Sequence, residues 1–275
     1  MTRYRIVAFV AAAMLLLAPG IGGADNATAE THAIVELREQ CLLGGARDQK
    51  WIPADKFEKN LKGPLKAQLF TLDGPGGEIV LNKGGESDCP HSIWSAKRKP
   101  ELKNGVAIQA PSWNPLPRLP QAIDPKDEAY VQIVSDILKA AGIKKPDVRI
   151  TQGYKIDLDG DGNDEVVIAA NRYAKGMHEL SGTSNETSPG DYTLVVVRKK
   201  TGDKVENIFV VKAVWLKAEE GPLARGNHIS AIADLNGDGT MEIVMYSAYH
   251  EGSDSDVVEI KGNKANAVIG CACEH

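Results

Sequence analysis

Apolar residues fall along this chain in two rhythms. Between Asp124 and Gly142 they recur at helical spacing, with Tyr130, Val134, Ile137, Leu138 and Ala141 on one face. Asp124 is a natural N-cap, Pro125 suits a first turn and Gly142 can close the last one, so a helix is predicted over about 125–141. Its stripe reads as core packing. Beyond Val148 the rhythm changes to short β-branched runs at 166–168, 193–197, 208–211, 243–245, 257–260 and 267–269. With the segments that enter two acidic loops, these predict about eight strands after Pro146. Upstream, 69–72 and 78–81 flank a Gly-rich stretch at 73–77 and predict a hairpin, with further strands at 92–96 and 105–109. The fold class that follows is mainly β with one helix.

The first residues form an address. Arg3 and Arg5 precede an unbroken apolar run over 6–18, then Pro19, Gly20 and the small residues Gly22, Gly23 and Ala24. This is the layout of a secretory signal peptide at 1–24, and the run is shorter than the about 20 residues that span a bilayer. The expected location is secreted or periplasmic, with no membrane span after signal removal. Region 30–109 is β-rich. Pro111, Pro115, Pro117 and Pro120 mark 110–122 as a Pro-rich linker, and 123–275 holds the helix and the repeated loops.

Charge sharpens this picture. The formal net charge is -5, and signal removal takes away Arg3 and Arg5 but no acid. An acidic chain argues against a nucleic-acid partner. An exported chain can keep disulfides, and Cys41, Cys89, Cys271 and Cys273 allow three pairings. Cys41 with Cys89 would close a loop in the N-terminal half, while Cys271 and Cys273 would tie down the last strand.

The informative residues form an internal repeat. Residues 156–168 read IDLDGDGNDEVVI and residues 233–245 read ADLNGDGTMEIVM, at a constant offset of 77. Oxygen side chains stand at positions 1, 3 and 5: Asp157, Asp159 and Asp161, then Asp234, Asn236 and Asp238. A glycine at position 6 permits the positive φ of a tight turn. The carbonyl of Asn163 or Thr240 points inward at position 7, and Glu165 or Glu242 closes the cage at position 9. Such spacing suits a hard cation that takes six to eight oxygens, calcium above all. An EF-hand would place a glutamate at position 12, but Ile168 and Met245 stand there, and the flanks are strand formers. Two calcium sites are expected. Four carboxylates in the first loop against three plus Asn236 in the second rank the first as the tighter.

The segments DLDGDGNDE and DLNGDGTME resemble the calcium loops of FG-GAP and VCBS-type repeats, known from integrin-like β-propellers and exported bacterial proteins. The resemblance covers about 148–270. It implies four-stranded propeller-like blades, or an open β assembly carrying calcium loops, with structural calcium and a protein or carbohydrate ligand. It implies no particular activity.

A catalytic constellation is not visible in the sequence. The six histidines lack metal-ligand spacing, and the four tryptophans show no repeating spacing. Tyr246, Tyr249, His250 and Glu251 follow the second loop and could line a groove, although packing is the commoner use of such residues. Two functions are therefore weighed. One is a non-catalytic exported protein with a binding, envelope or adhesion role. The other is an exported hydrolase or lyase with its active site in the N-terminal region.

Overall fold

The computed structural model describes residues 31–61, 63–84, 94–96, 104–174, 186–220 and 224–274. The expected signal peptide, Cys89 and residues 92–93 of an expected strand lie outside them.

Three antiparallel sheets carry the fold. The first contains β1 (His32–Glu36), β2 (Cys41–Arg47), β3 (Lys50–Pro53), β4 (Leu65–Thr71), β5 (Gly74–Lys83), β6 (Trp94–Ala96) and β7 (Val106–Gln109), in the order β3-β2-β1-β7-β4-β5-β6. The second contains β8 (Gln121–Ala122), β9 (Ile150–Ile156), β10 (Glu165–Arg172), β12 (Asp191–Thr201) and β13 (Lys204–Trp215), in the order β13-β12-β10-β9-β8. β11 (Glu186–Thr187) and β14 (Glu219–Glu220) form a separate short ribbon. The third sheet is β15 (Gly226–Ala233), β16 (Glu242–Tyr249), β17 (Gly252–Lys261) and β18 (Lys264–Glu274), paired in chain order. Each acidic repeat thus sits in a four-stranded antiparallel meander, its loop joining the first two strands. None of the described sheets closes on itself.

The third sheet is the middle layer. On one face Ala231, Leu235, Val244, Val257 and Ile269 meet Ile34, Leu43, Phe70 and Ile108 of the first sheet. On the other, Ile229, Ile243, Met245, Val258 and Ile260 meet Ile156, Val167, Val195 and Val197 of the second. All eight residues of β16 are buried, which is why this strand reads as a near-continuous apolar run rather than an alternation. Helices cover the outer faces. α1 (Ala54–Phe57) lays Ala54 and Phe57 on the first sheet. α2 (Glu128–Ala140) lays Val134, Ile137 and Leu138 on the second.

Several details correct the sequence expectations. The described residues form two α-helices rather than one. α2 starts later than expected because Asp127, not Asp124, accepts the N–H of Ala129 at 2.8 Å, while Asp124 caps the preceding turn through Lys126. The first hairpin turns at residues 72–73, and the Gly-rich stretch belongs to β5. A bulge there opposes Leu69 and Phe70, and a Cβ on Gly76 would lie 2.3 Å from Leu69, so only glycine fits.

Cys41 is bonded to Cys271, not to Cys89. The bond joins β2 to β18 across the interface of the first and third sheets, where both residues are buried. Cys273 is disulfide-bonded as well. The Cys41–Cys271 link closes a loop of 230 residues, the kind of closure that most restricts an unfolded chain. Replacing both residues by alanine is expected to lower stability by about 2–5 kcal/mol, read from the denaturant midpoint. An unchanged midpoint would show that sheet packing alone holds the stack.

Candidate metal centres

Both loops fold alike from the backbone up. Gly162 and Gly239 adopt φ of 86° and 87°, the positive values that position 6 requires. Asp157 Oδ1 accepts the N–H of Gly160 at 2.7 Å and Oδ2 that of Gly162 at 3.0 Å. Asp234 repeats this with Gly237 at 2.7 Å and Gly239 at 3.0 Å. At position 5, Asp161 accepts the N–H of Asn163 and Asp238 that of Thr240, each at 2.8 Å. At position 9, Glu165 Oε2 accepts the N–H of Leu158, and Glu242 Oε2 that of Leu235, again at 2.8 Å. Leu158 and Leu235 in turn plug the two inter-sheet cores. A buried glutamate at the root of the loop therefore clamps the turn to an apolar anchor.

The carboxylates do not converge identically. In the first loop Asp157, Asp159 and Glu165 each offer an oxygen within 4.8 Å of the others. Asp161 stands apart on the exposed rim, where the N–H and side-chain amide of Asn163 hold its carboxyl below the usual range. In the second loop the group is Asp238, Glu242 and Glu259, the last from β17. Asp234 spends its oxygens on backbone N–H groups, and Asn236 turns its amide to the carbonyl of Gln49 at 3.3 Å and to Asp238 at 3.2 Å.

Electrostatics follow burial. Desolvation raises Glu165 and Asp234. It pushes Glu242 up to about 9, with nearby Asp238, Asp234 and Glu259 adding to the rise. Carboxylates so placed call for a cation or a proton. The oxygen-only donor set suits a hard ion such as calcium.

The Pro-rich segment is docked on the loops. Pro115 O accepts the N–H of Asp234, and Trp113 Nε1 donates to Asp234 O, each at 2.8 Å. Arg118 donates to Gly239 O at 2.8 Å and Leu158 O at 3.3 Å, bridging one loop to the other. The N–H of Met241 also donates to Leu158 O at 2.8 Å. The two loops thus lie side by side at one edge of the stack.

Of the other candidates, His250 and Glu251 are exposed, and only the two tyrosines resolve into packing. Tyr246 and Tyr249 are buried, their rings covered by the Arg38 and Arg225 guanidinium groups. Between Cys41 and Gly105 the described residues form an open groove of about 500 Å³ along β4 and β5, lined by Lys66, Gln68, Glu78, Ile79 and Val80.

Comparisons with known proteins return no match, whether to a family model, a curated protein or a solved structure.

One buried acid escaped the sequence reading. Glu36 on β1 is sealed between the first and third sheets. Its Oε2 accepts the N–H groups of Arg38 and Glu39 at 2.9 Å, and Ser230 donates to its Oε1 at 3.2 Å. Burial raises its pKa from 4.5 to about 7 despite these bonds. The unfolded chain therefore loses this proton first, and stability present below pH 4.5 is lost as pH rises through about 7. The loss is on the order of 3 kcal/mol. Glu36→Gln keeps an oxygen for both N–H groups and removes the charge. It is expected to melt with wild type at pH 4 and several degrees higher at pH 8. Parallel melting-point curves across this range would refute the assignment.

Proposed function

We propose that the chain is an exported calcium-binding β-repeat protein of the FG-GAP/VCBS kind, with a non-catalytic binding or envelope role. One observation carries the reading. The same hydrogen-bonded acidic turn is built twice, at the same place in two four-stranded meanders, and each turn is closed by a buried glutamate. In this reading the meanders are propeller-like blades in an open stack. Asp157, Asp159, Asp161, Glu165 and the Asn163 carbonyl hold one calcium. Asp234, Asn236, Asp238, Glu242 and the Thr240 carbonyl hold the other. The ions are structural: they neutralise crowded acids at the edge where the loops and the Pro-rich segment meet.

The partner would be a protein or carbohydrate, met outside the cytoplasm after removal of the signal peptide. No helix among the described residues is long and apolar enough to cross a membrane. The open groove on β4 and β5 fits a binding surface, which keeps this reading ahead of an exported hydrolase or lyase.

Thermal unfolding in excess calcium and then in chelator tests the proposal. A ligand at about 100 times its Kd adds about 2.7 kcal/mol, so the melting point is expected to rise by about 5–10 °C with calcium. Asp161→Ala and Asp238→Ala should each remove part of the rise. Superimposable wild-type curves would overturn the calcium reading.

A further inference from the structure

The loops share one turn and one closing glutamate, but the strands beside them differ. Each chain returns from its loop along β10 or β16, and a third strand pairs with that one. Val166 pairs with Arg198, and Ile243 pairs with Val258. One step nearer the loop, this antiparallel register sets Lys199 opposite Glu165 and Glu259 opposite Glu242. The same place in two equivalent meanders holds an ammonium in one and a carboxylate in the other.

That exchange changes what each buried glutamate faces. Lys199 bonds to Asp159 Oδ2 and lies 3.9 Å from Glu165 Oε1, with its side chain only 12% exposed. The equivalent oxygen, Glu242 Oε1, has no hydrogen-bond partner among the described residues, and Glu242 is 0% exposed. Oxygens of Asp238, Glu242 and Glu259 gather within 4.8 Å of one another around it. Glu259 is held in place, because Trp51 Nε1 donates to its Oε1 at 2.5 Å. Lys261 pairs with Glu259 Oε2 at 2.6 Å, but its side chain is 64% exposed and can swing into water. An orphaned, fully buried carboxylate oxygen facing two further acids is an environment that favours a bound cation.

We infer that Glu259 is a metal ligand of the second loop, supplied by the neighbouring strand and absent from the repeated motif, and that Lys199 is a built-in counter-ion that competes with a divalent ion for the first loop. The inference rests on the calcium reading of the loops and refines it. Counting acids within the loops ranks the first as the tighter site. The flanking strands reverse that order.

Calcium titration of the mature full-length chain by calorimetry tests it, alongside terbium luminescence excited through tryptophan. Trp51 bonds to the proposed ligand, and Trp113 packs on Gly237 of the same loop, so an ion in the second loop is sensitised. The wild type is expected to show one tight, sensitised event and one weaker event. Glu259→Gln keeps an acceptor for Trp51 and should weaken the tight event at least about tenfold. Lys199→Met should tighten the weaker event by a similar factor and leave the tight one unchanged. This second arm stands whether or not Glu259→Gln folds. A tight event that survives Glu259→Gln in a folded variant but is lost in Asp161→Ala would overturn the inference and leave the calcium loops standing. A weaker event unmoved by Lys199→Met would remove the counter-ion role. No binding of either ion to the wild type would bring down the loop reading and this inference together.

Discussion

A carboxylate taken out of water needs a donor, a proton or a cation, and this fold buries one at the root of each acidic turn. Glu165 and Glu242 each begin the second strand of a meander and reach back to the N–H of the residue that follows the first aspartate. That residue, Leu158 or Leu235, drives its side chain into an inter-sheet core. The leucine cannot leave without opening the core, so the turn cannot open to hydrate its glutamate. Loop conformation, acid crowding and demand for positive charge all follow from this one clamp.

Layering decides where the demand is felt. The third sheet is covered on both faces, and its loop lies under Trp113, Pro115 and Gln49, from the Pro-rich segment and the first sheet. Asp234 and Asn236 are consequently buried. The first loop belongs to an outer sheet and leaves Asp161 and Gly162 in water. Related motifs therefore meet different dielectric surroundings, and a given charge is felt more strongly in the second. Arg118 couples the two by binding a carbonyl from each, so that stiffening one turn fixes an anchor of the other.

Much of this was legible in the sequence because the signals were local. The stripe from Tyr130 to Ala141 gives α2, β-branched runs give the eight long strands after Pro146, and the 77-residue offset gives both turns. Non-local facts were hidden. The cap of α2 falls on Asp127 because two aspartates compete three residues apart and the structure uses both. The partner of Cys41 depends on which strand the stack lays over β2, which no spacing encodes. Glu259 and Lys199 escaped because the repeat loses its offset after the second strand. Lys199 follows Glu165 by 34 residues but Glu259 follows Glu242 by only 17, so no alignment at 77 could pair them. Only strand register brings them to the same position.

Two ways of neutralising one acid cluster have different thermodynamic consequences. An ammonium supplied by the chain is present at a fixed effective concentration, so the first turn can close whenever its sheet forms. A divalent ion contributes only in proportion to the logarithm of its concentration over Kd, so an ion in the second turn would tie that turn to the surroundings. In the proposed reading the second turn also belongs to the sheet that touches both others. A meander at the edge of the stack would then be self-sufficient, while the central one would depend on an ion. In that reading the central sheet would acquire its final rigidity only where the ion is available, whereas the outer meander would need none.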